Sequence, residues 1–556
     1  MVYVYEHVET INKYLTKKLT TQEIIDALLD LGCDVKGERE GVNPELKIEL
    51  TAEKIDMISA VGIARAIAFY KGQKTKLTKY EVLKAKNKVI VDKSVEDTRP
   101  KTVAAILRNV PMTQEFLDTI IDLQERIHIS FGRNRKKVAI GIYPLSAITF
   151  PVTYQALEPS KIKFQPLGFD KIVNATEILE YHETGKKYGH LLSGFSKYPI
   201  FIDSKKNILS MPPIINSYQT GRVEPHHTEL FIECSGLNLK YLDDVLKVIV
   251  TTFVEMGSQV EAVEVDYGTE KYVLDLSAYD DKINVPYVNS LIGINVTAKE
   301  MKVLLEKMMY EVSKIDGENI SVKIPCFRSD VWHDVDIADD IARAYGYNNI
   351  VPKSPAISSV GQQLSKTRFY DDIAKMFTQM GFLELYSYML TSTEFQFKAM
   401  NRESEEYVAL IDSADQGTNM IRTRILPEVL RSLHINRQHK YPQKVFELGF
   451  IVQPDAKAET KAKNIAHVCV AIADPKANYT SIKGVFDETL KLLGVSCELK
   501  EDCDGEHLIE GRSAKIVFNG QVIGCIGELH PSVLTNFGLL VPVVVFELNI
   551  DALFQN

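Results

Sequence analysis

The residues best suited to chemistry form an acidic segment, RSDVWHDVDIADDIARAYGYNNIVP, at 328–352. Eleven of its residues include five aspartates: Asp330, Asp334, Asp336, Asp339 and Asp340. The apolar residues recur at helical spacing, so Asp336, Asp339 and Asp340 share a helix face, with Asp330 just upstream. Such a cluster usually serves a helix N-terminus, a cation or a cationic partner, because like charges at this spacing repel one another. All-oxygen ligands without suitably spaced Cys or His favour Mg²⁺ over zinc.

The same pattern has a purely structural interpretation. Asp334 or Asp336 would cap the helix, and the other acids would be solvated first-turn residues, which are common at this position. Spacing alone does not decide between the two.

The order of residues in this segment adds a resemblance. R-x-D followed by D-x-x-(D/E)-(D/E)-x-x-R-x-Y-G-Y-N-N-I resembles the signature of phenylalanyl-tRNA synthetase beta subunits. In that family the matching acids hold Mg²⁺, which implies Asp330, Asp336, Asp339 and Asp340 as ligands here. The last two are more often glutamates in bacterial members.

A second candidate site lies in two segments near the middle of the chain. ILSMPPIINSYQTGR contains a Pro-Pro loop, whose backbone is fixed but offers no N–H donors at the prolines. LFIECSGLN alternates like a strand and places Glu233 and Ser235 on one side. A loop of this composition is structural as readily as functional.

These two segments are similar to the editing pocket of the archaeal and eukaryotic type of beta subunit. The resemblance implies that Asn216, Ser217, Glu233 and Ser235 line such a pocket. Their side chains would hydrogen-bond a substrate or orient water against an ester. Archaeal members commonly carry aspartate and threonine where Glu233 and Ser235 stand.

Two other stretches leave alternatives open. RNRKK at 133–137 follows a helical pattern and is either a solvated helix end, with cations favoured by the helix dipole, or an RNA contact. Glu53 and Lys54 ahead of Asp56 depart from the family's usual amino-terminal motif, which favours a structural role for that stretch.

The last 200 or so residues resemble a class II synthetase core, with RTRILPEVL (422–430) and GRSAKIVFNGQVIGCIGELHPSVL (511–534) matching the beta subunit. A working core of that class has an arginine two residues before a glutamate on one strand and a glycine-rich arginine motif near its end. Phe446-Glu447-Leu448-Gly449 retains the strand pattern without the arginine, which leaves nothing to polarise an ATP phosphate. The sequence therefore predicts a subunit that does not activate amino acid itself.

Composition sets limits on the fold and the partners. A chain of 556 residues is too long for a single core. Its net charge of −9 argues against binding nucleic acid through bulk electrostatics alone. No run approaches the ~18 to 20 apolar residues of a membrane helix, and the start lacks a signal-peptide pattern, so we expect a cytoplasmic protein without membrane contact. The seven scattered cysteines lack a CxxC, and we expect buried thiols rather than disulfides or a zinc site.

The expected fold class is α+β with several domains. We predict an N-terminal α/β domain (B1-like) at 1–85, a B3/B4-type editing domain at 86–275, and a winged-helix-like B5 domain with the acidic site at 276–353. A degenerate, non-catalytic class II synthetase-like core with an antiparallel sheet (B6/B7-like) follows at 354–556.

The resemblance implies a role in phenylalanine–tRNA ligation. An alpha subunit would carry catalysis with ATP and phenylalanine in an (αβ)₂ heterotetramer, and this chain would supply scaffold, contacts to tRNA(Phe) and hydrolysis of Tyr-tRNA(Phe). Such editing is needed because an apolar pocket rejects an added hydroxyl by only about 10²-fold. Two alternatives stay open: a non-enzymatic synthetase-like scaffold or RNA-binding module, and a free-standing hydrolase of aminoacyl esters.

Overall fold

The fold comes from a computed structural model that describes residues 2–39, 41, 43–413, 415, 417–501 and 506–554. The chain divides into two compact units, residues 1–354 and 355–556. Both contain helices and β-sheets, so the expectation of a multidomain α+β protein is confirmed. The finer division into four domains stays a prediction.

The first unit begins with a small antiparallel sheet covered by helices. Its elements are β1 (Val2–His7), α1 (Val8–Lys13), α2 (Thr21–Asp30), β2 (Asp34–Arg39), β3 (Glu45–Leu50) and α3 (Ala60–Tyr70). The strands are ordered β1-β3-β2. Strand β2 is largely exposed and has an irregular register near Gly37, so its sequence shows no clear alternation.

A ten-stranded sheet forms the middle of the first unit. Its strands are β4 (Val82–Val91), β5 (Lys101–Arg108), β6 (Val138–Pro144), β7 (Val152–Leu157), β10 (Tyr198–Ile202), β11 (Ile208–Met211), β12 (Ile215–Asn216), β13 (Leu230–Gly236), β14 (Gln259–Asp266) and β15 (Lys271–Tyr272). A separate pair is β8 (Lys163–Phe164) with β9 (Val173–Asn174). The helices are α4 (Gln114–Ile129), α5 (Ala175–Tyr181), α6 (Glu183–Tyr188), α7 (Tyr218–Gly221) and α8 (Leu239–Glu255).

The order of this sheet is β12-β11-β10-β7-β4-β14-β5-β13-β6, with β15 added beside β14. Strand β13 lies between β5 and β6 and is buried along its whole length. Its register places Glu233 opposite Gly141 of β6 and Ala104 of β5. Glu233, Gly141 and Tyr143 therefore share one face of the sheet.

The remainder of the first unit contains the acidic helix. Its elements are β16 (Tyr279–Asn284), α9 (Val285–Ile292), α10 (Ala298–Lys307), β17 (Glu311–Asp316), β18 (Asn319–Ile324) and α11 (Asp334–Tyr345). The apolar face of α11, including Ile337 and Ile341, is buried. Arg343 of α11 donates to the carbonyl of Leu31 at 2.9 Å, so the helix is joined to the amino-terminal part of the same unit.

The second unit is built on a seven-stranded sheet, ordered β19-β22-β23-β27-β26-β25-β24 and antiparallel apart from the β19–β22 pair. Its strands are β19 (Leu383–Glu384), β20 (Leu390–Thr391), β21 (Met420–Ile421), β22 (Gln443–Pro454), β23 (Ala462–Ala473), β24 (Glu498–Lys500), β25 (Leu508–Phe518), β26 (Gln521–Leu529) and β27 (Val543–Asn549), of which β20 and β21 pair separately. The helices are α12 (Ser365–Gln379), α13 (Leu426–Ile435), α14 (Tyr479–Leu493) and α15 (Pro531–Asn536), with a π-helical turn at Glu394–Lys398.

Strands β25 and β26 form a hairpin across Asn519-Gly520, a residue pair typical of two-residue turns between apolar runs. Both residues have positive φ, 49° and 79°, as a two-residue turn of this type requires.

Two compositional expectations have structural counterparts. Five of the six cysteines in the described ranges are buried and Cys497 is half-buried, while Cys503 lies outside those ranges. No helix within the described residues combines the length and the apolar character needed to cross a membrane.

Candidate functional site

The buried carboxyl of Glu233 is the centre of the candidate site. Its residue is 2% exposed in a central strand, where a charged group is unusual. Room for it comes from Gly141, because a Cβ at that position would lie 2.4 Å from Glu233 Oε1 and 2.2 Å from the Tyr143 hydroxyl. Only glycine at position 141 leaves room for these two side chains to approach the strand so closely.

One carboxyl oxygen of Glu233 contacts the Tyr143 hydroxyl, and the other has no partner. The Tyr143 hydroxyl lies 3.0 Å from Glu233 Oε1 and 2.7 Å from Ser210 Oγ. Glu233 Oε2 is buried without a hydrogen-bond partner. Burial raises the pKa of Glu233 to about 8, against the opposing effects of Tyr143 and Arg99. At neutral pH the group is therefore mostly a neutral acid that can donate a hydrogen bond.

Glu233 lines a cavity of about 310 Å³, a size suited to a small ligand. The apolar walls come from α4 and from the Pro-Pro loop: Leu117, Ile120, Ile121, Pro212, Pro213 and Ile214. Gln124, Ser210 and Asn216 add polar groups. The cavity thus combines a mostly apolar surface with a few placed polar atoms.

The Pro-Pro loop is fixed by an inward-facing arginine. Arg135 donates to the carbonyls of Pro213 and Ile214 at 3.3 and 3.0 Å, and to Glu125 at 2.7 Å. Burial alone would raise the pKa of Glu125, but the hydrogen bonds and charges of His128 and Arg135 lower this pKa to about 2. Arg135 therefore fits neither interpretation of RNRKK, because it forms part of the cavity wall.

The four residues predicted for this pocket divide into two pairs. Glu233 and Asn216 line the cavity. Ser217 and Ser235 are buried outside its lining, and Ser235 Oγ accepts from Arg99 Nε at 3.2 Å. Sequence reasoning missed Tyr143, Ser210, Gln124 and Arg135. The strand alternation of VAIGIYP would have paired Tyr143 with Glu233 had the register with LFIECSG been known.

The acidic segment forms a second cluster, in which the aspartates pair with cations. Asp330 accepts from Arg328 at 2.7 and 2.9 Å and from Lys54 at 2.5 Å. Asp340 accepts from Arg328 at 2.5 Å and from the Tyr310 hydroxyl at 2.6 Å. Against the penalty of burial, Arg328 and Lys54 hold the pKa of Asp330 well below its usual range.

The other two predicted ligands point elsewhere. Asp336 accepts from the backbone N–H groups of Trp332 and His333 at 2.7 and 2.8 Å, which stabilises the start of α11. Asp339 is half-exposed and accepts from Arg343 and Tyr347 at 2.9 and 2.6 Å. The described residues include no group of three or more acidic, His or Cys side chains placed to hold a metal. In this arrangement the four aspartates do not fit Mg²⁺, and magnesium ligation stays a prediction.

Comparison with known proteins identifies the family of this chain. Residues 350–550 match the phenylalanyl tRNA synthetase beta chain CLM domain, and residues 282–347 match the tRNA synthetase B5 domain. The chain is 36% identical over 546 residues to the phenylalanine–tRNA ligase beta subunit of Thermococcus sibiricus, covering 97% of this chain and 96% of that one. The chain belongs to the phenylalanine–tRNA ligase beta subunit family.

Two further members of this family support the assignment. The Pyrococcus horikoshii beta subunit is 39% identical over 502 residues, or 90% of each chain. A crystal structure of its N-terminal fragment is 36% identical, with a TM-score of 0.59, and covers 62% of this chain and 100% of the fragment. The resemblance read from the acidic segment is thereby confirmed, and that segment lies within the B5 match.

Proposed function

We propose that this chain acts with a separate alpha subunit as a phenylalanine–tRNA ligase that uses ATP, phenylalanine and tRNA(Phe), in an (αβ)₂ assembly. Support comes from its similarity to beta subunits along nearly the whole chain. The alpha subunit would activate and transfer phenylalanine, while this chain contributes the scaffold and contacts to tRNA(Phe).

The sheet of the second unit supports the assignment of catalysis to the partner. Arg422 donates to the Glu447 carboxylate at 2.6 Å and to the Phe450 carbonyl at 2.9 Å. Both side chains are almost fully buried, and a Cβ at Gly449 would lie 2.4 Å from the Arg422 guanidinium. This arginine is committed to internal contacts and is not free to bind a phosphate.

We further propose that the cavity beside Glu233 hydrolyses tyrosine wrongly attached to tRNA(Phe). The observation that carries this proposal is the unpartnered Oε2 of Glu233, a residue that lines a cavity with apolar walls. A tyrosine ring would contact these walls, and its hydroxyl would pair with Oε2. Water would add to the ester carbonyl carbon, the bond to the ribose oxygen would break, and tyrosine and free tRNA would leave.

This arrangement would select tyrosine over phenylalanine. A bound phenylalanine leaves Glu233 Oε2 buried and unpaired, which costs about 1–3 kcal/mol. Sites built around a substrate hydroxyl reject the analogue that lacks it more strongly than apolar pockets reject an added hydroxyl. The cavity would therefore favour tyrosine over phenylalanine, whereas the apolar pocket in which a synthetase activates phenylalanine favours phenylalanine over tyrosine.

The test uses this chain alone and co-expressed with a candidate alpha subunit. We expect phenylalanylation of tRNA(Phe) only in the complex, and Glu233→Ala should lower Tyr-tRNA(Phe) deacylation while phenylalanylation persists. Ser235→Ala tests whether that serine, placed outside the cavity, takes part. A complex that aminoacylates but never deacylates would overturn the editing proposal alone. No activity and no complex would support the non-enzymatic scaffold, and deacylation by the chain alone would support the free-standing hydrolase.

A further inference from the structure

The second unit contains a cavity of its own, of about 300 Å³, on the face of the sheet formed by β22, β23, β25, β26 and β27. Ile451, Ile465 and Ile523 give it an apolar side. Thr423, His467 and His507 are among its polar lining residues. The family resemblance assigns no ligand to this place.

Three residues in or beside this cavity have buried polar atoms without a hydrogen-bond partner. His507 is 1% exposed, and neither ring nitrogen has a hydrogen-bond partner. The Thr423 hydroxyl and Arg402 Nη1 are also buried and unpartnered. Arg402 adjoins the cavity through Glu405, a lining residue that it contacts at 3.2 Å. Within the described part of the second unit, these three residues account for every such atom.

Their concentration requires a common explanation. Each unpartnered buried group costs about 1–3 kcal/mol, and native proteins contain few of them. Chance would scatter them over the unit. A molecule bound in the cavity would satisfy all three groups at once.

The unpartnered groups favour a molecule that offers acceptor oxygens. Burial, and after it Arg424, lowers the pKa of Arg402, while Glu405 and Glu547 oppose this shift. The nearby Glu547 carboxylate is already used, since it accepts from the backbone N–H groups of Ile425 and Leu426 at 3.1 and 3.0 Å and lies 2.9 Å from His467 Nδ1. A guanidinium, a hydroxyl and an imidazole N–H are donors that match the acceptor oxygens of an anion.

We propose that this cavity binds a small molecule with an oxyanion group, either a carboxylate or a phosphate. Its oxygens accept from Arg402, Thr423 and His507, and any apolar part contacts Ile451, Ile465 and Ile523. The volume is at the lower end for ligand cavities, so the ligand is a small organic anion or inorganic phosphate. This site is separate from the cavity beside Glu233 and does not depend on the proposed function.

The experiment is calorimetric titration of the full chain with inorganic phosphate, acetate and AMP, alongside thermal unfolding. We expect saturable binding and a raised Tm with at least one probe, and the three probes separate phosphate from carboxylate recognition. Thr423→Val should weaken binding about 10-fold, equivalent to about 1.4 kcal/mol, whereas Thr423→Ser should retain it.

Thr489→Val is the matched control, because Thr489 is a buried threonine of the same unit whose hydroxyl is already bonded to the Val485 carbonyl. His507→Phe is a second variant should Thr423→Val fold poorly, and it should also weaken binding. Absence of saturable binding by all three probes would mean that water alone fills the cavity and would overturn the proposal. Equal affinity in the Thr423→Val and Thr489→Val variants would overturn it as well.

Discussion

The Tyr143 hydroxyl lies 3.0 Å from Glu233 Oε1, across two neighbouring strands of the central sheet. This contact fixes one carboxyl oxygen of a residue that lines the cavity, and it leaves the other oxygen buried without a partner. Tyr143 is not among the residues lining the cavity. In the proposed reaction it would act through Glu233, as a positioning residue.

Tyr143→Phe should therefore lower kcat/KM for Tyr-tRNA(Phe) deacylation by roughly 10-fold, since one hydrogen bond to a polar group contributes about 1–2 kcal/mol. Phenylalanylation by the complex should be unchanged. Tyr272→Phe is the control, because its hydroxyl also bonds a carboxylate, Asp243, at 2.6 Å but lies away from the cavity. An equal loss of deacylation in both variants would contradict a positioning role for Tyr143.

The raised pKa of Glu233 predicts a specific dependence of stability on pH. The folded chain releases this proton near pH 8 and the unfolded chain near the ordinary value of 4.5, so in this window only the folded state holds it. Stability must then fall as pH rises from about 5 to about 8. Glu233→Gln has no such group to titrate and should gain about 3–4 kcal/mol in stability relative to the wild type between pH 5 and pH 8, since each pKa unit corresponds to about 1.4 kcal/mol. Urea unfolding at a series of pH values measures this gap, and parallel curves would contradict the prediction.

Gly141→Ala should disrupt the site without adding any charge. The new Cβ would meet both the Tyr143 hydroxyl and Glu233 Oε1 at well under contact distance, so one of the two must move. We expect a loss of about 1–3 kcal/mol in stability, as for an overpacked core, together with loss of deacylation. Gly37→Ala, in strand β2 with open space around it, is the matched control. If Gly141→Ala were as stable and active as that control, the close packing described here would be wrong.

Lys54→Met tests the pairing of the acidic cluster. The Lys54 and Asp330 side chains are 13% and 8% exposed, so removing the ammonium leaves buried carboxylates with Arg328 as the remaining cation. We expect a loss of roughly 2–3 kcal/mol in guanidinium unfolding. Mg²⁺ should stabilise the variant more than the wild type, because one of the two cations that pair with Asp330 is then gone.

The control for this variant is Lys314→Met, since Lys314 pairs with Asp316 on the exposed surface. It should unfold like the wild type, with or without Mg²⁺. An equal response of wild type and Lys54→Met to Mg²⁺ would show that Lys54 does not compete with an ion for these acids.

Features that depend on local sequence could be predicted from it. The Asn519-Gly520 hairpin follows from the need for positive φ at both turn residues, and helix α11 follows from apolar spacing. The alternation of LFIECSG also predicted that Glu233 and Ser235 share a face. Family motifs then identified the chain, because the acidic segment retains the spacing of the family signature.

Features that depend on tertiary register could not be predicted. Arg133, Asn134 and Arg135 have φ values of 48°, 52° and 66°, and no sequence rule for a basic run predicts three consecutive left-handed residues that turn Arg135 inward. Alternation predicted the side of the strand for Ser235 but not that Arg99 would bind it there. Spacing likewise grouped the aspartates without revealing a lysine from the start of the chain among them.

The contact between Lys54 and Asp330 joins residues 276 positions apart. During synthesis at about 5–20 residues per second, the lysine emerges from the ribosome roughly 14–55 s before its carboxylate partner. During that interval the amino-terminal part of the first unit must stay partly open, or keep the Lys54 ammonium in contact with water. The last steps of folding in the first unit therefore follow the synthesis of the acidic helix. Cellular factors that bind incomplete chains have that same interval in which to act.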